Sequence, residues 1–330
     1  MTNDKLVFLG RREIIDKINQ FAHRGESFLF AIDFNGEKGF VLPPEEATAR
    51  GILYEIGEWK NYSGLKGKIS GCFDFTRLDP ETYQKAFEKV QYHLKKGDTY
   101  LLNLTFQTAL KTDLGLRELF ESGQAPFSLY VPDRFVVFSP EAFVQIRDGK
   151  ITSCPMKGTI DAHLPEAEKQ LLEDKKEFFE HNTIVDLIRN DLSMVSTGVK
   201  VKRFRYIDRI HTNRGDLLQM SSEICGDLPA DYLKNPGEIL FALLPAGSVT
   251  GAPKEKTVQI IREVENYERG FYTGIFGYFD GKTLTSAVAI RFIEDTRNGL
   301  VFKSGGGITA LSDPESEYNE LIAKVYVPVV

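Results

Sequence analysis

The stretch GIFGYFDGKTLTSAVAIRFI, residues 274–293, decides the fold class. Two β-like runs, GIFGYF (274–279) and TSAVAIRFI (285–293), flank Asp280-Gly281, a dipeptide that strongly indicates a β-hairpin. Similar short runs recur between turn residues: SFLFAIDF (27–34), SLYVP (128–132), RFVVFS (134–139), FVQI (143–146) and GLVFKSG (299–305). Because these runs follow one another like hairpins and do not alternate regularly with helices, the sequence favours antiparallel or mixed sheets.

Helical patterns lie between the strand-like runs. Apolar residues at helical spacing predict a helix over 81–96 that ends at Gly97. The segment 164–194 is long enough for one or two helices, and 253–267 predicts another. We therefore expect an α+β fold in which sheets stack face to face and helices lie outside. Apart from the run 27–34, residues 1–70 give no clear assignment.

Composition excludes several classes of protein. Of the 330 residues 42% are hydrophobic, so a large core is available, and no stretch reaches the roughly 20 apolar residues of a membrane-spanning helix. The net charge of −6 without blocks of like charge disfavours a nucleic-acid surface. Three well-separated cysteines and the lack of a signal peptide favour the reducing cytoplasm. No repeat or linker divides the chain, so we expect a single domain over 1–330.

The carboxyl-terminal segment SDPESEYNELIAK (312–324) combines helix and charge signals. Asp313 followed by Pro314 predicts the start of a helix. On that helix Glu317, Glu320 and Lys324 share one face. Two carboxylates there can bind a hard divalent cation, and the lysine can meet an anionic substrate. The alternative is a solvated face with an intrahelical Glu320–Lys324 ion pair.

Four other segments carry candidate chemistry, each with a structural alternative. The glycines 305–307 follow a strand and can turn backbone N–H groups towards an anion, or form a flexible turn. Lys157, between Met156 and Gly158, is either a desolvated amine with a lowered pKa or an ordinary turn lysine. Glu180 begins an apolar helix and is either functional or part of a salt-bridge network. The small-residue loop 247–254 precedes a helix and can receive a carboxylate, although its spacing is not that of a phosphate loop.

Taken together, these segments resemble the chorismate-utilising enzymes, which include anthranilate, aminodeoxychorismate, isochorismate and salicylate synthases. Five motifs occur in the family's order: SPE (139–141), PMKGT (155–159), EHNTIVDLIRND (180–191), GSVTGAPK (247–254) and GGGITALSDPESEYNE (305–320). The resemblance covers residues 74–330 and leaves 1–70 as a reduced amino-terminal part. So many ordered motifs favour the functional interpretation of each segment over its structural alternative.

The resemblance implies a four-layer α/β/β/α sandwich with the site in a cleft between two mainly antiparallel sheets. It implies that one Mg²⁺ ion is held by Glu180, Glu317 and Glu320, a donor set that suits magnesium. Glu141 matches the general acid that protonates the leaving C4 hydroxyl of chorismate. The substrate-binding residues implied by the same matching are Thr159, Thr250, Tyr272, Arg291, Gly305, Gly306, Gly307 and Lys324.

Within this family, the residue at position 157 separates the reactions. Anthranilate, isochorismate and salicylate synthases usually have alanine there, whereas aminodeoxychorismate synthases resemble this chain in having lysine. The resemblance thus implies conversion of chorismate and ammonia to 4-amino-4-deoxychorismate, for 4-aminobenzoate and folate synthesis. Lys157 is expected to add to C2 of chorismate, and ammonia then displaces it by attack at C4.

Two positions depart from the family pattern. Gln219 stands where most relatives have a histidine linked with pyruvate elimination, which argues against an aromatising reaction. Leu101 stands near the position of a water-activating lysine in isochorismate-type enzymes, and leucine cannot act as a base. Lys157 and Gln219 disfavour the rival assignment as anthranilate synthase component I, and Leu101 disfavours water as the nucleophile. Gln219 and Leu101 also leave open a non-catalytic relative that binds chorismate for regulation.

The resemblance also indicates a partner. Family members usually take ammonia from a separate glutamine amidotransferase subunit, and the sequence has no nucleophile motif for such a domain. We therefore expect a partner subunit or free ammonium as the source of ammonia. The stretch 1–70 looks too small for the feedback pocket of tryptophan-regulated relatives, so we predict no inhibition by tryptophan.

Overall fold

A computed structural model describes residues 6–63, 71–212 and 215–328. The strands are β1 (Leu9–Gly10), β2 (Phe28–Ile32), β3 (Lys38–Leu42), β4 (Leu53–Ile56), β5 (Trp59–Lys60), β6 (Phe73–Phe75), β7 (Leu101–Thr112), β8 (Phe127–Val131), β9 (Phe135–Ser139), β10 (Ala142–Arg147), β11 (Lys150–Ser153), β12 (Met156–Asp161), β13 (Thr197–Thr212), β14 (Gly215–Asp227), β15 (Gly251–Ala252), β16 (Ile275–Phe279), β17 (Leu284–Val288), β18 (Phe292–Thr296) and β19 (Gly299–Ile308). The α-helices are α1 (Arg11–His23), α2 (Pro44–Ala49), α3 (Pro80–Lys96), α4 (Leu116–Ser122), α5 (Ala167–Glu173), α6 (Lys175–Ser193), α7 (Pro236–Ala242), α8 (Lys254–Val264) and α9 (Pro314–Ala323).

The strands form two large antiparallel sheets. The ten-stranded first sheet has the order β1-β3-β2-β16-β17-β10-β11-β14-β12, and β13 pairs with β14. The nine-stranded second sheet has the order β15-β7-β19-β18-β9-β8-β4-β5, and β6 pairs with β7. The predicted hairpin is β16–β17, in which Phe279 pairs with Leu284. The side chain of Asp280 closes its turn by accepting hydrogen bonds from the N–H groups of Lys282 and Thr283.

Alternation of side chains along the central strands produces the layers. In β2, Phe28 and Phe30 face the helices of the outer layer, whereas Leu29 and Ala31 face the second sheet. The outer cluster on the first sheet includes residues of α1, α6 and α7. The far face of the second sheet is covered by α3, α8 and α9 in one cluster and by α4 in another. The predicted four-layer α/β/β/α sandwich is confirmed.

The helix ends follow the capping signals in the sequence. At α3, the Asp79 side chain accepts a hydrogen bond from the N–H of Thr82, and Gly97 ends the helix in the left-handed conformation with φ of 82°. At α9, Asp313 accepts from the N–H of Ser316, as the Asp313-Pro314 pair predicts. The segment 164–194 contains two helices, α5 and α6, that meet at Asp174.

Two expectations about boundaries were wrong. The run 285–293 is not one strand, because the chain leaves the first sheet after β17 and enters the second sheet at β18. The helix expected over 253–267 ends at Val264, and the following ENYER segment (265–269) is irregular. Apart from the run 27–34, which contains β2, the sequence gives no assignment for residues 1–70, and their described part contributes β1–β3 to the first sheet and β4–β5 to the second.

Two crossovers between the sheets define the cleft. The chain passes from β9 to β10 at Pro140-Glu141 and from β17 to β18 at residues 289–291. The crossovers are bonded together, because the N–H of Val288 donates to the carbonyl of Glu141 and the N–H of Phe138 donates to that of Arg291. Helices of the described segments include none that is both long and apolar enough to cross a membrane.

Candidate active site

Lys157 lies where β12 departs from regular pairing. Met156 pairs with Ser221 of β14, but the register shifts before Thr159, which pairs with Gln219. Gly158, at the shift, has a φ of +78°, a conformation that side chains disfavour. The irregular backbone directs the Lys157 side chain to α6, where its Nζ lies 2.8 Å from Oε2 of Glu180.

This ion pair determines the charge of the lysine. The Lys157 and Glu180 side chains are 25% and 6% exposed. Burial depresses the pKa of Lys157, but the charges of Glu180, Glu177 and Glu320 raise that pKa above its ordinary value. The expected neutral, desolvated amine is therefore wrong for this arrangement, in which Lys157 is an ammonium ion.

Glycines line the cleft opposite Lys157. Gly305, Gly306 and Gly307 belong to β19 and pair with Thr105, Leu104 and Asn103 of β7. A Cβ on Gly307 would lie only 3.3 Å from Nζ of Lys157 and 3.2 Å from Cδ1 of Leu101. The absence of a side chain at Gly307 therefore leaves room beside the lysine. The predicted flexible-turn alternative for these glycines is wrong, because they form a strand.

Helix α9 brings its charged face to the same strand. Nζ of Lys324 lies 2.8 Å from Oε1 of Glu320 and donates a 3.0 Å hydrogen bond to the carbonyl of Gly305. Glu317 is buried, and its Oε2 would lie 3.8 Å from a Cβ on Gly306. The intrahelical Glu320–Lys324 pair thus exists, but the face lies against the glycine strand and is not merely solvated.

Glu141 lies at the first crossover, where the charges of both Lys157 and Lys324 act on it. Burial raises the pKa of Glu141, and this rise is opposed by a hydrogen bond from Ser248 and by the positive charges of Lys157 and Lys324. A carboxyl group with a raised pKa keeps its proton to a higher pH than a free glutamate does, as a general acid requires. The electrostatic coupling to both lysines places Lys157, Lys324 and Glu141 around one cleft.

Of the three carboxylates implied as metal ligands, Glu180 and Glu320 form ion pairs with lysines. Lys157 interacts with both Glu180 and Glu320, and Tyr83 with both Glu317 and Glu320. Within the described ranges, no three acidic, histidine or cysteine side chains are close enough together to hold a metal ion as they stand. The three carboxylates fit magnesium by donor chemistry, because it binds oxygen ligands, and two of them are neutralised by ammonium groups.

The remaining predicted residues occupy different positions. Arg291 donates a 2.7 Å hydrogen bond to the hydroxyl of Tyr326 at the second crossover. Tyr272 is buried in the core between the sheets, and burial raises its pKa while the nearby charge of Arg291 lowers it. Thr250 is fully buried, and its hydroxyl donates to the carbonyl of Ala246. Thr159 is exposed on β12.

Two buried ion pairs support the cleft. Nζ of Lys254 lies 2.9 Å from Oδ2 of Asp191, so the loop 247–254 is fastened to α6. The loop was expected to receive a carboxylate. The carboxylate that Lys254 binds is the side chain of Asp191. The second pair, Glu265 with Arg269, was missed by sequence reasoning. Its only signal is an acidic and a basic residue four positions apart in the segment ENYER.

The comparisons with known proteins agree with this geometry. Residues 63–329 match the model of the chorismate binding enzymes. The chain belongs to this family.

This chorismate-binding enzyme is similar to proteins with three different names. It is 51% identical over 96% of its length to an uncharacterized PabA-like protein of Pasteurella multocida, covering 98% of that protein. It is 35% identical over 74% of its length to aminodeoxychorismate synthase component 1 of Salmonella typhimurium, covering 56% of that protein. Anthranilate synthase component I from Streptococcus pneumoniae has a similar structure, with a TM-score of 0.66 and 25% identity, over 80% of this chain and 60% of that one. Similarity alone therefore does not separate the aminodeoxychorismate synthase reaction from the anthranilate synthase reaction. The residues of the cleft have to separate them.

Proposed function

We propose that this chain is the synthase component that converts chorismate and ammonia to 4-amino-4-deoxychorismate, a precursor of 4-aminobenzoate and folate. The observation that carries the proposal is the position of the Lys157 amine, inside the cleft beside Gly307 and facing α6. A primary amine at this point can form a bond to a substrate held against the glycine strand. Similarity to the aminodeoxychorismate synthase of Salmonella supports the same reaction.

Chorismate carries two carboxylates, and the cleft offers cations and amides for both. Backbone N–H groups along 305–307, the guanidinium of Arg291 and the ammonium of Lys324 are the groups that bind them in this proposal. Thr159, Thr250 and Tyr272 complete the surroundings of the substrate. Since the chain's net charge is −6, these local cations have to capture the dianion against the overall charge.

In the first step, Nζ of Lys157 forms a bond to C2 of chorismate, the two conjugated ring double bonds shift from C1=C2 and C5=C6 to C1=C6 and C4=C5, and the C4–O bond breaks. Glu141 donates its proton to the departing oxygen, which leaves as water. Lys157 reacts as the neutral amine, so it must first give up the proton that the ion pair with Glu180 stabilises. Replacement of the ammonium on Glu180 by a metal ion would remove that stabilisation and let the proton pass to water.

In the second step, ammonia forms a bond to C4, the two double bonds shift back to C1=C2 and C5=C6, and the C2–N bond to Lys157 breaks. The released lysine takes up the proton that ammonia loses. Leu101, buried beside Lys157, excludes a base that would activate water, so ammonia is favoured as the nucleophile. Gln219, paired with Thr159 on the neighbouring strand, lacks the proton-accepting capacity that pyruvate elimination requires.

Magnesium is part of this proposal. Glu180, Glu317 and Glu320 would hold it, and a bound divalent cation would supply positive charge for a substrate carboxylate. For the metal to bind, the ammonium groups of Lys157 and Lys324 must move away from Glu180 and Glu320.

We further propose that the ammonia comes from a glutamine amidotransferase subunit in the cytoplasm, with free ammonium as a substitute in vitro. The experiment that tests the function is turnover of chorismate with magnesium and excess ammonium, with products resolved by mass. We expect 4-amino-4-deoxychorismate without pyruvate. Anthranilate with pyruvate would assign the chain to the anthranilate synthases, and binding of chorismate without turnover would make it a regulatory relative.

A further inference from the structure

The Glu265–Arg269 ion pair is almost completely buried. Both side chains are 2% exposed, and Nη2 of Arg269 lies 2.7 Å from Oε1 of Glu265. Nε of the same guanidinium donates to Oε2 of Glu265 at 2.8 Å, so the contact is bidentate. Two charges this deeply buried require further hydrogen bonds to offset their desolvation.

Those further bonds go to strand β7. The carboxylate of Glu265 accepts hydrogen bonds from the backbone N–H of Thr105 at 2.9 Å and from its hydroxyl at 2.8 Å. Nη2 of Arg269 donates to the carbonyl of Asn103 at 2.6 Å. The pair thus binds two backbone groups of β7 that a neighbouring strand would otherwise bind.

The position of these contacts along β7 is specific. On this edge, the short strand β15 pairs with residues 101 and 102 only. On the opposite edge, Asn103 pairs with Gly307 and Thr105 pairs with Gly305. The ion pair therefore continues the edge of β7 where β15 ends, directly behind the first and last glycines of the cleft.

Arg269 also reaches the loop that precedes α8. Its Nη1 donates to the carbonyl of Val249 at 2.9 Å, next to Thr250, whose carbonyl accepts from the N–H of Asn103. One guanidinium therefore joins β7 to the loop 247–254. Glycines 305–307 have no side chains to pack, so their geometry depends on the strand behind them.

We propose that Glu265 and Arg269 are positioning residues that fix the amides of Gly305–Gly307 for the substrate carboxylate. This inference rests on the proposed function, because it assigns the carboxylate of chorismate to the glycine strand. The pair acts through β7 and touches no reacting atom. It should therefore control the affinity for chorismate more than the rate of the chemical step.

Two variants test this role. The double variant Glu265→Leu/Arg269→Met removes both charges together, and such replacements of buried pairs often preserve stability. Arg269→Lys keeps the charge beside Glu265, but one ammonium cannot bridge the Val249 and Asn103 carbonyls as the planar guanidinium does. Ile14→Ala, in the outer cluster of the first sheet, is the control for general destabilisation.

The measurements are KM, kcat and the calorimetric Kd for chorismate, together with Tm. We expect KM and Kd to rise about tenfold in both pair variants, as for the loss of one hydrogen bond to a charged group. We expect kcat to stay within about threefold of the parent value, and Ile14→Ala to lower Tm while keeping the parent KM.

A folded pair variant with the parent KM and Kd would show that the pair only stabilises the fold and would overturn the inference. If the double variant does not fold, the KM and Kd of Arg269→Lys for chorismate test the inference in the same way. Absence of turnover in the parent would overturn the proposed function instead, and the Kd values would still test the positioning role. A rise of KM in Ile14→Ala as large as that in the pair variants would also contradict the positioning role.

Discussion

The Nζ of Lys157 lies 2.8 Å from Oε2 of Glu180, so the proposed nucleophile is bound to a proposed ligand of magnesium. One carboxylate cannot give its full charge to an ammonium ion and a divalent cation at the same time. The lysine and the metal therefore compete for Glu180, and binding of the metal would release the amine towards the substrate.

This competition predicts an effect on metal affinity. Without chorismate, Lys157→Met should bind magnesium more tightly than the parent. A partly exposed ion pair is worth about 1 kcal/mol, which is roughly a fivefold change in Kd. Isothermal calorimetry measures it, with Lys169→Met, from an exposed pair with Glu166, as the matched control. Equal affinity in the two variants would argue against Glu180 as a shared ligand.

A side chain at Gly307 should disturb the position of Lys157. A methyl group there would be 3.3 Å from Nζ of Lys157 and 3.2 Å from Leu101. Gly307→Ala should therefore displace the lysine and lower kcat/KM by on the order of tenfold to a hundredfold, with little change in Tm. The control is Gly115→Ala, whose added Cβ makes its closest contact at 3.5 Å, far from the cleft. If steady-state kinetics gave Gly307→Ala the parent kcat/KM, Lys157 would not be the residue that reacts with the substrate.

His181, adjacent to Glu180, should make the fold sensitive to acid. Burial and the charges of Arg205 and Lys157 lower its pKa to about 4, and its Nε2 lies 2.7 Å from the hydroxyl of Ser222. Below pH about 6.5 the unfolded chain takes up a proton that the folded chain excludes, so this contribution to stability falls as the pH falls. By pH 5 the loss should reach about 2 kcal/mol.

Urea denaturation at pH 7.5 and pH 5 measures this loss. His181→Gln should show a pH dependence smaller by that amount, whereas His163→Gln, in an exposed turn, should keep the parent's dependence. The same pH dependence in all three proteins would mean that His181 is protonated in the folded state.

The Asp191–Lys254 pair should stabilise the loop 247–254. Lys254→Met would leave Asp191 buried without its cation, at a cost of about 3 kcal/mol. Adding Asp191→Leu to that variant should restore most of the lost stability, because the unpaired charge is gone. Thermal and urea unfolding of the single and double variants test this. A single variant as stable as the double would show that Asp191 reaches water.

The sequence predicted the local parts of this fold well, because their causes are local. The alternation in 27–34 and 274–279 and the caps at Asp79 and Asp313 all depend on neighbours within a few residues. The strands β1, β3, β4 and β5 escaped assignment; β4, for example, pairs with β8, which is far away in the chain. Short edge strands have little pattern of their own.

In the candidate site, too, the sequence did not predict the features that depend on residues far apart in the chain. Motif order was sufficient to assign Lys157, Glu141 and Glu180 to one cleft. The charge of Lys157 was not predictable, because it depends on a carboxylate 23 positions away along the chain. Likewise, the spacing of Glu265 and Arg269 is visible in the sequence, but their contact with β7 depends on strand register.

The central claim is that Lys157 aminates chorismate by covalent catalysis. The most direct measurement compares the parent, Lys157→Ala and Lys169→Ala in one assay with magnesium, chorismate and saturating ammonium, with products resolved by mass. We predict 4-amino-4-deoxychorismate without pyruvate from the parent and from Lys169→Ala. We predict that Lys157→Ala is at least about a hundredfold slower, since the covalent route is lost. Formation of the same product by Lys157→Ala at the parent rate would contradict the claim.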